Sequence, residues 1–297
     1  MRILHFSDIH LRQPHMEVPI RDWIGKRAIG AANLALGRWR HFVDALVKVA
    51  ALDNFRREQN IDFVICTGDY TALGTVGELT MAREAVQPLM EAPLGYAHVP
   101  GNHDLYALDV IREKRFLNAF GDTLTTDFPE YCVDDTPWPA VTLVGDDAAV
   151  IAVDSARPNP LPWRSSGRIP PAQLESFRRI LSDPRLDERF LFVITHYAAR
   201  LANGKRDHWN HGLTNADDFL AVAAEVSRGA ILCGHIHRPY VLRLDNIPAP
   251  LFCAGSTTQR GRESFWVFEI DNGTVSATQG RWAEGQYELD MTSTILV

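Results

Sequence analysis

The chain is poor in cysteine, has no long apolar run and no low-complexity tract, and carries no excess of positive charge. Each absence closes off a class. The cysteines are Cys66, Cys132, Cys233 and Cys253 in 297 residues. None stands in a CxxC pair and three lie inside apolar runs, so they read as buried free thiols of a reducing cytoplasm, not as a disulfide framework. No stretch approaches about 18 uncharged apolar residues, which excludes a membrane-spanning helix. The net charge of −7 leaves no global footprint for a nucleic-acid polymer. A small anionic substrate stays open if the site carries its own cations. Hydrophobic residues at 46% and charged residues at 23% exclude disorder and a coiled coil. A strand-like run starts at Arg2 with no charged and then apolar leader before it, so no signal peptide is expected.

What is present is an alternation of short apolar runs with helical periods. Strands are predicted near residues 3–6, 63–66, 96–99, 141–144, 150–153, 191–194, 230–232, 251–253, 264–270 and 274–280. Helical periods cover 39–58, 76–90, 105–120, 171–181 and 215–226, with Pro170-Pro171 opening the fourth and Asn215 placed to cap the fifth. Strands alternating with helices give an α/β protein whose sheet is at least partly parallel, and the strand-rich last third makes it mixed. No linker marks a boundary, so residues 1–297 read as one domain with an insertion at about 14–50.

Five of these strands end abruptly in metal-ligating residue types. The ends read Ser7-Asp8-Ile9-His10, Thr67-Gly68-Asp69, Gly101-Asn102-His103-Asp104, Thr195-His196 and Gly234-His235-Ile236-His237. In open α/β sheets ligands bind at the carboxyl ends of strands, so one shared site is expected. Alternate residues of an extended chain point the same way, which would bring Asp8 with His10 and His235 with His237 to one centre. A carboxylate after a glycine, as in Gly68-Asp69, can approach closely and bridge two cations. Mixed nitrogen and oxygen donors without thiolate suit Mn, Fe, Zn or Co. Five unrelated buried polar turns are the alternative, and unpaired buried Asp and His are costly.

The ordered set Asp8-x-His10, Gly68-Asp69, Gly101-Asn102-His103-Asp104, His196 and Gly234-His235-x-His237 resembles the calcineurin-like metallophosphoesterases. The resemblance spans residues 8–237 and implies a four-layer αββα sandwich of two mixed β-sheets around a dinuclear site. It implies one metal held by Asp8, His10, Asp69 and His237, and a second held by Asp69, Asn102, His196 and His235, with Asp69 bridging. Two divalent or trivalent ions would clamp a phosphoryl group and turn a bridging water into a hydroxide nucleophile. His103, next to a ligand and titrating in the right range, is the natural acid for the leaving alkoxide, and Asp104 would orient its ring.

Departures within the family narrow the reading. Gly68-Asp69 continues as Tyr70-Thr71-Ala72-Leu73-Gly74, unlike the Ser/Thr protein phosphatases, and no basic stripe with interleaved aromatics suits a nuclease. The opening His5-Phe6-Ser7-Asp8-Ile9-His10 looks most like the class III cyclic nucleotide phosphodiesterases. That implies a small phosphodiester substrate such as a 3′,5′- or 2′,3′-cyclic nucleotide. The alternatives are a phosphomonoester, a lipid-headgroup diester and, from another class, a non-catalytic scaffold. A scaffold should have lost ligands or the proton donor, and none is missing here.

The insertion carries six Lys/Arg against two Asp/Glu between Arg21 and Lys48. Its bland reading is a helical hairpin packing Trp23, Leu34, Trp39 and Phe42 on the core. Its functional readings are a lid over the site, an anionic lipid contact through residues 20–40, or a homodimer contact at its tryptophans. His208 and His211 in the loop after His196 are candidate substrate contacts, since loops at strand ends carry specificity. The apolar tail 291–297 is expected to dock on the body of the protein.

Overall fold

The structure, a computed structural model, describes residues 1–13, 20, 23, 26–159 and 161–297, and their side chains apart from those of 33–35, 38 and 39. The side chains of Leu34 and Trp39, and residues 14–19, 21, 22, 24 and 25 of the insertion, therefore lie outside what is described.

Two six-stranded mixed sheets stack face to face. The first has the order β12-β11-β10-β1-β2-β3, formed by Gln286–Leu296, Thr274–Ala283, Ser264–Asp271, Arg2–Phe6, Phe63–Cys66 and Tyr96–His98. The second has the order β4-β5-β6-β7-β9-β8, formed by Ala140–Val144, Ala148–Ala152, Phe190–Ile194, Gly229–Cys233, Ile247–Ala254 and Pro239–Leu244. In the first sheet β1, β2 and β3 run parallel up to one edge and β10, β11 and β12 continue antiparallel to the other; in the second β5, β6, β7 and β9 run parallel at the centre and antiparallel β4 and β8 close the edges.

The two-residue period of the strands explains the layers. Phe63 and Ile65 face the other sheet, where they meet Val150, Phe192 and Ile194. Val64 and Cys66 face outward onto α2 (Ala45–Glu58) and α3 (Val76–Met90). Val193 and Ile231 of the second sheet face α6 (Pro171–Leu181) and α7 (Ala216–Ala223). Strands buried on both faces must be apolar along their whole length, which is why β1, β2, β6 and β7 stood out as runs. The result is the expected αββα sandwich. Among the described residues no helix is long and apolar enough to cross a membrane.

Three local expectations change. The helical period 39–58 divides into a short 3₁₀ turn over Arg38–Phe42 and α2, and the period 105–120 divides into α4 (Leu108–Arg112) and α5 (Arg115–Phe120). Asn215 sits at the N-cap of α7 but makes no capping bond; its amide instead receives from Ile169 N and donates to Ile169 O. The tail forms the edge strand β12, and β8 is a second edge strand that the sequence did not announce. Edge strands are half-solvated and need no apolar run, and β8 opens with Pro239, a residue tolerated at an edge.

Candidate metal centre

β1, β2, β3, β6 and β7 all end on the same side, and the loops leaving them converge. The loops after β1 and β2 are zipped together: Asp8 N donates to Gly68 O, His10 N to Asp69 O and Leu11 N to Tyr70 O. Gly68 has φ +93°, and a Cβ there would stand 2.5 Å from Gly101 N, so only glycine lets the β2 and β3 loops touch. Asp8, His10, Asp69, His235 and His237 all have φ between 45° and 68°. The chain is thus not extended through Asp8-x-His10 or His235-x-His237. Left-handed residues, not strand alternation, aim these side chains, and His235 and His237 turn to different clusters.

Two clusters result. Asp8, His10, Asp69 and His237 form one and Asp69, His196 and His235 form the other, the ligand atoms of each lying within 4.8 Å of one another. Asn102 completes the second, with Oδ1 2.8 Å from His235 Nδ1 and 3.1 Å from His196 Nε2. Asp69 Oδ2 lies 3.6 Å from His10 Nε2 and 3.5 Å from His196 Nε2, so one oxygen faces a ring of each cluster.

The hydrogen bonds fix which nitrogen each ring offers. His10 Nδ1 donates to Thr71 O, His196 Nδ1 to Thr67 O, His235 Nε2 to His211 O, and His237 Nδ1 to Gln259 Oε1. Each ring places one nitrogen on an oxygen acceptor and turns the other inward. His10 Nε2 and His237 Nε2 face each other at 3.0 Å, a place for a cation between them, a proton or a metal ion. Asp8 Oδ1 is buried, makes no aligned hydrogen bond, and lies 3.1 Å from His237 Nε2. A carboxylate oxygen so placed among inward-facing imidazoles is costly in an apolar interior without a cation and natural in a metal site. The donor set therefore fits two metal ions bound through nitrogen and oxygen.

Electrostatics agree. Burial pushes Asp69 up, yet the His196, His103 and His10 rings hold it well below the usual carboxylate range. Burial pulls His196 down, and Asp69 outweighs it and raises the ring to about 9. His5 behaves differently: burial lowers it to about 3, and its Nε2 meets Thr67 Oγ1, steadying the residue whose carbonyl orients His196.

His103 borders both clusters without belonging to either. Its backbone N–H donates to Asp69 Oδ1, and its ring packs edge-on to His10 at 4.7 Å. Nδ1 donates to Ala72 O at 2.6 Å, so it is this carbonyl and not Asp104 that holds the ring. Asp104 instead receives from Gly101 N, Thr71 N and Thr71 Oγ1, and so ties the β3 loop to the β2 loop. His211 lines the cavity and stacks on His235 at 4.2 Å. His208 is exposed, pairs with Asn210 and does not line it, so the expected substrate contact there falls away. Sequence reading missed Gln259 and the carbonyls of Thr67, Thr71 and Ala72, because a backbone acceptor leaves no mark in residue type.

The profile of the calcineurin-like phosphoesterase family matches residues 1–239. The chain belongs to that family. Solved structures with the same fold include a dimetal phosphatase from Danio rerio, at 14% identity and TM-score 0.60, covering 97% of this chain and 98% of that one. A purple acid phosphatase from yellow lupin (Lupinus luteus) matches at 11% identity and TM-score 0.61, covering 97% of this chain and 52% of that one. No curated protein matches.

Proposed function

We propose that this phosphoesterase hydrolyses a small phosphodiester, a 3′,5′- or 2′,3′-cyclic nucleotide among the candidates, with His103 as general acid. The observation that carries the reading is the position of Asp69 Oδ2 between the two clusters, with the His103 ring at their edge. Bound there, a pair of ions would supply Lewis-acid charge to the phosphoryl group and an activated water. The chain supplies the rest. Asp8, His10, Asp69, Asn102, His196, His235 and His237 fix where the ions would sit. His103, with Nδ1 committed to Ala72 O, lines the cavity, where its ring can deliver a proton to the leaving alkoxide.

The diester reading is supported by room beyond the phosphoryl group. The cavity of about 400 Å³ continues from the ligands to Phe42, Leu46 and Trp163, enough wall for a second ester substituent. The test is hydrolysis by Mn-reconstituted protein of bis-p-nitrophenyl phosphate beside p-nitrophenyl phosphate. Preference for the diester is expected; preference for the monoester overturns the reading. A lipid-headgroup diester is favoured by one further observation, the exposed Val43, Leu46 and Trp163 at the cavity mouth. Failure to bind or hydrolyse phospholipid in liposomes removes it.

A further inference from the structure

The insertion contributes a buried cation to the wall of the metal cavity. Lys26 is the first residue of α1 (Lys26–Ala35), lines the cavity with Asp69 and His103, and is only 7% exposed. The next residue anchors the helix: Arg27 donates to Leu73 O and pairs with Asp109. Gly30 brings the helix against Tyr106, whose hydroxyl would be 2.2 Å from any Cβ at that position. With α1 held there, the Lys26 ammonium lies 4.5 Å from the centre of the Tyr106 ring, and that ring lies 5.3 Å from the ring of His103. Lys26 is thus on the His103 side of the cavity, where the leaving group departs.

An ammonium has three donors, and among the described residues one of these is used, toward Arg164 O at 3.0 Å. Among the described residues no carboxylate stands within 4.0 Å of it. Burial pulls it down to about 8, opposed by the Asp69 charge. A buried cation without a paired anion is expensive, and one facing a cavity is relieved when a ligand brings the anion. The phosphoryl group has seven ligand residues and their ions to meet its charge; Lys26 is left over on the leaving side.

We infer that Lys26 is a specificity-determining residue that binds an anionic group on the leaving portion of the substrate, so that the preferred phosphoesters carry a second negative charge close to the scissile phosphate. This rests on the phosphoesterase reading above but not on diester preference, and among small phosphodiesters it favours one with a second anionic group over a cyclic nucleotide, whose one phosphate carries its only negative charge. Ligands that cannot be hydrolysed separate the two. Ethylphosphonate and 3-phosphonopropionate share a phosphonate and differ in one carboxylate. Calorimetric titration of the Mn-loaded protein should show 3-phosphonopropionate binding at least about tenfold more tightly, the low end for a charge-assisted hydrogen bond. Lys26→Gln, which keeps a donor for Arg164 O, should erase that preference and leave ethylphosphonate within about threefold. Lys26→Arg, which restores the charge, should keep the preference and covers the case in which the neutral variant folds poorly. Equal affinity of the wild type for both ligands, or an equal loss on both in Lys26→Gln, overturns the inference. Bis-p-nitrophenyl phosphate turnover by the wild type reports separately on the proposed reaction.

Discussion

Replacing Asp69 by Asn should cost the protein both metal-linked increments of stability, whereas replacing Asp8 should cost one. The distinction comes from geometry. Asp69 Oδ2 stands 3.6 Å from a ring of the first cluster and 3.5 Å from a ring of the second. Asp8 belongs to the first cluster alone, with Oδ1 3.1 Å from His237 Nε2. An ion that binds the folded state at 100 times its Kd stabilises it by about 2.7 kcal/mol, so two such ions give about 5 kcal/mol. At about 2.1 cal/mol/K of unfolding entropy per residue, each kcal/mol is worth about 1.6 °C in Tm for this chain, so the wild type should gain about 8 °C on Mn loading. Asp8→Asn should gain about half of that and retain one ion; Asp69→Asn should gain little and retain none. The assay is thermal unfolding with and without Mn, paired with elemental analysis of dialysed protein. If Asp69→Asn kept one tight ion and the same Mn-dependent gain as Asp8→Asn, the shared position of Asp69 would be wrong.

His103→Ala should keep its full metal content and lose about 10² to 10⁴ in turnover, most for substrates with poor leaving groups; an undiminished rate on an unactivated diester would remove His103 as the acid. Gly101→Ala should abolish metal retention, because its Cβ would lie 2.1 Å from Asp69 Oδ1 and 2.3 Å from the Asp69 backbone nitrogen, which has nowhere to retreat; normal metal content by elemental analysis would contradict that packing. Glu78 is buried and raised from 4.5 to about 7 by that burial. The folded state therefore holds this proton more tightly than the unfolded state does. Its contribution is complete below about pH 4.5 and is lost toward pH 7, an order of 3 kcal/mol. Urea unfolding of metal-free protein across that range should show the decline, and Glu78→Gln should remove its share, leaving those of Asp104 and Asp154, which burial also raises to about 7.

The ligand set was legible because the chemistry and the fold place it redundantly. Each parallel strand must be an apolar run to be buried on two faces, and each must stop where the site begins. The run Phe63–Cys66 followed by Thr67-Gly68-Asp69 shows both in seven residues. The edge strands β8 and β12 lacked the first signal, and the tail 291–297 read only as something apolar. Asp104 was misassigned because adjacency in sequence says nothing about which of two neighbours a carboxylate can reach. It turned to Thr71 and Gly101, and an unmarked carbonyl at Ala72 took the ring of His103. Lys26 was visible as charge in the insertion but not as a wall of the cavity, since only the anchoring of Arg27 and the closeness of Gly30 to Tyr106 decide which way α1 faces.

The left-handed backbone at five of the seven ligands carries a further consequence. An Asp or His in that region costs of order 1 kcal/mol or more, and five together are a substantial local strain. Interloop bonds such as Asp8 N to Gly68 O and His10 N to Asp69 O pin these turns through the backbone itself. Inside the cradle Asp8 Oδ1 makes no aligned hydrogen bond and the His10 and His237 Nε2 atoms meet at 3.0 Å. Backbone order and side-chain frustration are therefore separable here. Removing the ions should leave the loops in register while raising the proton affinity of the inward nitrogens, because a proton is then the cation within reach.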